Sequence, residues 1–491
     1  MGATQDTAAF AANLTYDDIP ERLHAKTKAQ ILSVVGASHA GRHSEGAVSA
    51  LDVARTWGSG DDAVAWLTGE RLPHLNAMFA NACASVSFDF DDYLFAGHTG
   101  HSAVCAAFAY GEKDGASGKD VLTAITVGNE VGGRLGASLL FGPQNGQMWS
   151  YIHLLEGACI ASRFHSLDVA RTANAIGIAF TQPPYALIPA FMGPDSKMLI
   201  PASTTVEGCK AAELAARGWT GNTQIIEDNQ GFLKRFNQQN LGWILSGYGE
   251  AWLSDTLTYK IVPGCAYIDT AMDSFGEIRN QFAADHDARF PTADDIDRIE
   301  VKCGLLTSGM EAFSQAYRSA DRLEPITINF SVALSIGLTL VAGSLAPEFL
   351  SHKYLDASRE AIEAVASKVT MTHDNEMDSR AAATSASKGF ELAKVLGAKS
   401  LEGLSFEGYV MSFPSNVTVY TTDGKSYNAS QDVPLGGAGS DWQETDDLVR
   451  LKFLDNFAGD ASRAKDVLDA IDSLEQIDDV RDLARLLAAD R

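Results

Sequence analysis

From Tyr16 to about Leu245 the chain keeps one period: apolar and small residues recur at three- and four-residue spacing, the pattern of helices with one buried face. The stretches ERLHAKTKAQILSVVGASHAG, AMFANACASVSFDF, KDVLTAITVGNEVGGRLGASLL and YIHLLEGACIASRFHSL all carry it. Their many Ala and Gly residues let helix axes approach closely, which suits a layered bundle. After Leu257 the pattern changes. TYKIVPGCAYIDTAMDSFGEIRNQFAA reads as an extended entry followed by a helix, and DIDRIEVKCG alternates like a strand. FSVALSIGLTLVAG reads as a buried helix, SREAIEAVASKVTMTHDNEMD as a helix running into a strand with Val369 and Met371. SNVTVYTTDGKSYNASQDVP reads as a hairpin turning at Asp423-Gly424. Beyond Pro434 the loop LGGAGSD leads to helical stretches from Thr445 to Ala489. The expected fold is mainly α with an α+β part. A large helical domain is built from both chain ends, residues 1–256 and 435–491, around an α+β insertion at 257–434.

At 491 residues the chain exceeds the roughly 250–300 residues at which one hydrophobic core stops growing, so more than one core is expected. The formal charge of −25 opposes nucleic-acid phosphates and anionic lipid, and no basic patch overrides it. Neither nucleic acid nor membrane is expected as a partner. The longest apolar stretch, Phe330 to Ala346, contains Gly337 and Gly343 and falls short of the roughly 20 residues a bilayer requires. The first residues show no secretory pattern. Six cysteines without a CxxC pair (Cys83, Cys105, Cys159, Cys209, Cys265, Cys303) read as free thiols in a reducing, cytoplasmic setting.

The densest polar cluster is FDFDDYLFAGHTGHSAV, where Asp89, Asp91 and Asp92 precede His98 and His101 in apolar surroundings. Such groups are costly to bury unless they are paired or used. One use is metal ligation by Asp89, Asp91, His98 and His101, although two His three apart after aspartates match no stereotyped spacing. The other is acid–base catalysis by an imidazole whose tautomer a carboxylate holds, and the reading adopted is metal-free. Lys197 in GPDSKMLIPAS, Lys260 in LTYKIVPGCAY and Arg134 in NEVGGRLG are candidate carboxylate partners; Arg134 is equally able to pair Glu130. GASHAGRHS (Gly36–Ser44) has Arg42 where a phosphate loop needs lysine, and no dinucleotide, GxSxG, Schiff-base or haem signature is present. No cofactor is expected.

Several motifs resemble the MmgE/PrpD family: DFDD–Y–GHTGH (Asp89–His101), GNEVGGRLG (Gly128–Gly136), DSKMLIPAS (Asp195–Ser203), QGFLKRF (Gln230–Phe236), KIVPGCAYIDTAMDS (Lys260–Ser274) and RLEPITINFSVALSIGLTLVAGSL (Arg322–Leu345). The resemblance implies a helical domain from both chain ends with an inserted α+β lid, a homodimer, and a site between the domains for a small carboxylate. It places Asp89, Tyr93 and His98 or His101 near substrate, with Lys197 and Lys260 facing substrate carboxylates. Departures accompany it. Gln147 and Met148 stand where an aromatic-His pair is common, with His153 further on; Ile200 and Pro201 follow the loop lysine, and Cys265, Tyr267 and Asp269 stand where imidazoles often sit.

The expected chemistry is a lyase reaction on a di- or tricarboxylate, a dehydration or decarboxylation. Lys197, Lys260 and Arg134 would neutralise carboxylates. His98 or His101, oriented by Asp89 or Asp92, would carry the proton, with Tyr93 or Tyr267 as a second carrier. Epimerisation of a succinate-like dicarboxylate and carboxylate binding without catalysis stay open as alternatives.

Overall fold

The structure is a computed structural model that describes residues 2–142, 150–238, 241–387, 394, 397–399 and 403–489. Helix makes up 61% and strand 8%, so the fold is mainly α with an α+β part. The helices fall where the three- and four-residue period placed them: Glu21–Ala40, His74–Val86, Gly100–Asp114, Gly118–Ser138, Ser150–Phe164 and Leu199–Ala216. Two elements in this half lack that signal. The helix Ala3–Asn13 lies ahead of Tyr16 and is held by burying Ala8, Phe10 and Ala11. Ala63–Ala65 pairs with Glu70–Leu72 in a small hairpin, too short to show alternation.

The four-stranded sheet runs in the order Val369–His373, Ile296–Cys303, Ser415–Thr421, Ser426–Gln431; the first pair is parallel and the others are antiparallel. The hairpin turns at Gly424, φ +85°, as Asp-Gly requires. Ile299, Val301, Val417 and Val419 meet Phe275 and Phe282 of the helix Asp269–Asp285 and the helix Val332–Ala342 in one core. A short two-stranded ladder joins distant segments, with Asp92 opposite Tyr259 and Tyr93 opposite Thr258.

The tail returns to the start of the chain. Helix Trp442–Asn456 packs along Glu21–Ala40, so closely that a Cβ on Gly36 would stand 3.2 Å from Phe453 Cα. All six cysteines are buried and unpaired. Among the described residues no helix is long and apolar enough to cross a membrane.

Candidate active site

Helix His74–Val86 ends before the acidic run, and Asp89 turns the chain with φ +53°, a left-handed conformation that Asp tolerates better than most residues. The ladder that follows draws Lys260 alongside. Its N–H donates to the Asp91 carbonyl at 3.1 Å, and its ammonium donates to Asp89 O at 2.9 Å and Asp91 Oδ1 at 2.8 Å. Lys197, on the short turn Asp195–Met198, lies 2.8 Å from Asp89 Oδ1. Its ammonium stands 4.6 Å from the ring centre of Phe330 and 5.3 Å from that of Phe191. Two ammonium groups and two carboxylates thus share one buried cluster.

Burial alone would push the Asp89 and Asp91 carboxyls up. Lys197 and Lys260 outweigh it at Asp89, and His101 with Lys260 outweighs it at Asp91, so both pKa values fall, that of Asp91 strongly. Burial lowers Lys197, with Asp89 opposing. It also opposes the charge on Lys260, but Asp89 and Asp91 win and raise that group.

Asp91 is also the imidazole anchor. Its Oδ2 lies 2.9 Å from His98 Nδ1 and 2.9 Å from His101 Nε2. This corrects the expectation that Asp89 or Asp92 orients the histidine. Successive side chains in an extended segment face opposite ways, so Asp92 points away and accepts from Gln30 Nε2 at 2.7 Å. Burial pushes its pKa up to about 6. Gly100 leaves room for it, since a Cβ there would stand 1.9 Å from Asp92 Oδ1.

His98 reaches solvent, its side chain 13% exposed, whereas Asp91 and His101 are fully enclosed. Burial lowers the His98 pKa, with Asp91 opposing, so the ring favours its neutral form. Tyr93, whose ring centre is 5.8 Å from that of His98, donates to Asp269 Oδ2 at 3.3 Å. Burial holds the Asp269 carboxyl well above the usual range. Tyr93 thus stands between an imidazole whose pKa burial lowers and a carboxyl whose pKa burial raises.

The substituted positions form the neighbouring wall. Ile200, Cys265 and Tyr267 pack with Phe191 and Phe330, the rings beside Lys197, and Tyr267 meets Phe413 edge-on at 5.0 Å. His153 sits behind His101, ring centres 5.9 Å apart, with Nδ1 2.6 Å from Ser102 Oγ. Gln147 and Met148 lie outside the described residues.

Arg134 is not brought to the pocket. Its guanidinium pairs Glu130 at 3.3 Å, donates to the carbonyls of Ile244, Ser246 and Ala251, and stacks over Tyr248. Its expected role as a carboxylate ligand gives way to a structural one. Behind the acidic run stands Lys452, which the sequence did not single out. From the returning helix, this buried lysine donates to Phe90 O and, at 2.8 Å, to Ser33 Oγ.

Asp91, His98 and His101 bring three ligand-type atoms within 4.8 Å of one another. A metal there would compete with the Lys260 ammonium already 2.8 Å from Asp91. Asp89, part of the sequence-based ligand set, is turned to Lys197.

The family profile described as the MmgE/PrpD N-terminal domain matches residues 5–242, the part of the chain that supplies Asp89, Asp91, His98, His101 and Lys197. Residues 5–242 therefore carry an MmgE/PrpD N-terminal domain. Human cis-aconitate decarboxylase is 27% identical over 313 residues, 61% of this chain and 64% of that protein. The mouse protein of the same name is 26% identical over 61% of this chain and 63% of its own length. That of Aspergillus terreus is 22% identical over 57% and 61%. The match thus spans less than two thirds of these MmgE/PrpD relatives.

Proposed function

We propose that this chain is a lyase acting on a small di- or tricarboxylate by proton transfer next to a carboxylate, without a metal or organic cofactor. The observation that carries the reading is His98, a solvent-reaching imidazole held by Asp91 beside the buried ammonium groups of Lys197 and Lys260. The relatives' name, cis-aconitate decarboxylase, supports the substrate class.

In this reading an incoming carboxylate shares Lys197 with Asp89. Phe191 and Phe330 keep water away and strengthen that pairing. In a decarboxylation the carbon–carboxylate bond breaks and carbon dioxide leaves. The electron pair passes to a neighbouring carboxylate as an enolate, stabilised by Lys197 and Lys260, and Tyr93, backed by the Asp269 proton, protonates the carbon. In a dehydration His98 takes the α-proton and the Tyr93–Asp269 pair protonates the departing hydroxyl. The same two carriers suit epimerisation of a succinate-like dicarboxylate, the second reading.

Residues 257–434 are proposed as the α+β lid over residues 1–256 and 435–491. A homodimer is proposed because helix Leu305–Ala316 presents Leu305, Leu306 and Phe313 to solvent.

Proton NMR of cis-aconitate, citrate and 2-methylcitrate with the purified protein tests the reading. Conversion of one of them, lost in His98→Gln, is expected; binding without turnover would point to a carboxylate-binding protein, and neither binding nor turnover would overturn the reading.

A further inference from the structure

The three consecutive carbonyls of Asp89, Phe90 and Asp91 are each held by a buried lysine. The Lys260 ammonium takes Asp89 O at 2.9 Å and its backbone N–H takes Asp91 O at 3.1 Å, while Lys452 takes Phe90 O. These peptides carry the left-handed turn at Asp89 and present its carboxylate to Lys197 and that of Asp91 to His98. Lys452 comes from the far end of the chain, on helix Trp442–Asn456.

Its chemistry there is unusual. The ammonium's hydrogen-bond acceptors are a carbonyl and the Ser33 hydroxyl, and the Phe90 ring centre lies 4.1 Å away. An ammonium buried on neutral partners is costly, and a glutamine could serve the same acceptors without charge. What a lysine adds is a positive charge behind the acidic run. Burial lowers its pKa to about 7 against the pull of Asp91 and Asp92.

We propose that Lys452 is a positioning residue for the reaction: with Lys260 it clamps the Asp89–Asp91 backbone, so that the C-terminal helix completes a site whose reacting groups lie elsewhere. The proposal rests on the lyase reading for its kinetic consequence and on geometry alone for its structural one. A misplacement of about 1 Å in a catalytic constellation costs about 10²-fold in rate, and releasing the Phe90 carbonyl frees the turn that sets two carboxylates.

The test compares wild-type protein with Lys452→Met and Lys452→Gln, by crystal structure and by kinetics on whichever carboxylate the wild type converts. In Lys452→Met the Asp89 turn is expected to relax and the Lys197–Asp89 and Asp91–His98 contacts to open. kcat should fall about 10²-fold with KM within about threefold. Lys452→Gln keeps a donor for Phe90 O, so it should hold the turn and recover kcat to within about tenfold. Its rate profile should also move to higher pH, since a positive charge behind Asp91, which holds His98, is gone. If the methionine variant does not fold, the glutamine variant carries both measurements: an intact turn and the upward pH shift support the clamp, and an unshifted profile overturns it. An unmoved 89–91 segment in a folded Lys452→Met overturns the proposal whether or not the wild type has activity. A wild type inert on every carboxylate overturns the lyase reading instead, and leaves the structural comparison to decide the clamp.

Discussion

Asp91 Oδ2 lies 2.9 Å from His98 Nδ1, and this single contact fixes which ring nitrogen of His98 meets the carboxylate. Nδ1–H donates to Asp91 and the neutral ring keeps a basic Nε2. Replacing His98 with Gln is expected to lower kcat by about 10²–10⁴-fold, the range for loss of a general base, with little change in thermal midpoint. Steady-state kinetics beside a melting curve checks this; a rate within a few-fold of wild type removes His98 from the mechanism.

The same contact sets a pH dependence. His98 is pulled below its ordinary value by burial, with Asp91 holding it up, so kcat should rise with pH through a midpoint below about 6.5 as the ring loses its proton. Asp91→Asn removes the negative charge and should move that midpoint lower still. It also takes from Lys260 its 2.8 Å charge partner, leaving the Asp89 carboxylate at 3.5 Å, and should lower stability. The Asp91 pKa is depressed in the folded state, so its contribution is present above the unfolded carboxyl value and is lost as pH falls below it. Urea titrations of both proteins at neutral and acid pH should therefore converge at the acid end.

Glu112 and Asp273 carry the opposite sign. Burial raises each to about 7, so their contributions are present below the unfolded value and are lost as pH rises through about 7. Glu112 accepts from Val64 N–H at 3.0 Å, and Asp273 from Leu435 N–H at 2.8 Å. Asp273→Asn should flatten the decline in melting temperature between about pH 4 and 7, the span from the unfolded carboxyl value to the folded one. An unchanged slope would contradict their protonated state.

Because Lys260 already sits at Asp91, activity should survive a strong chelator. Elemental analysis of protein prepared without added ions should find zinc and iron far below one per chain. A stoichiometric metal lost together with activity would reassign Asp91, His98 and His101 as ligands.

Much of this site was legible in the chain. Five titratable residues in apolar surroundings between Asp89 and His101 marked the place, since their burial demands partners, and Lys197 and Lys260 do arrive there. The choice among three aspartates was not legible, because the face each takes depends on the ladder to Thr258–Tyr259, a pairing across more than 160 residues with only two residues per strand. Lys452 was hidden for another reason. TDDLVRLKFLDN has the charge pattern of a solvated helix, and only its packing on Glu21–Ala40 turns that lysine inward. Arg134 erred the other way: its place in a Gly-rich motif suggested a ligand, but its helix directs it to Glu130 and three carbonyls. The helical framework was read well because its period is long and repeated, while the Ala63–Leu72 hairpin is too short to show one.

The most direct test of proton transfer at this pocket is NMR of cis-aconitate incubated with the protein in deuterium oxide. The wild type should yield a product carrying one solvent deuteron at the carbon next to a remaining carboxylate, at a rate that collapses in His98→Gln. Full recovery of unlabelled substrate from the wild type, with no product and no exchange at any carbon, across cis-aconitate, citrate, 2-methylcitrate and succinate-like dicarboxylates, would contradict the assignment.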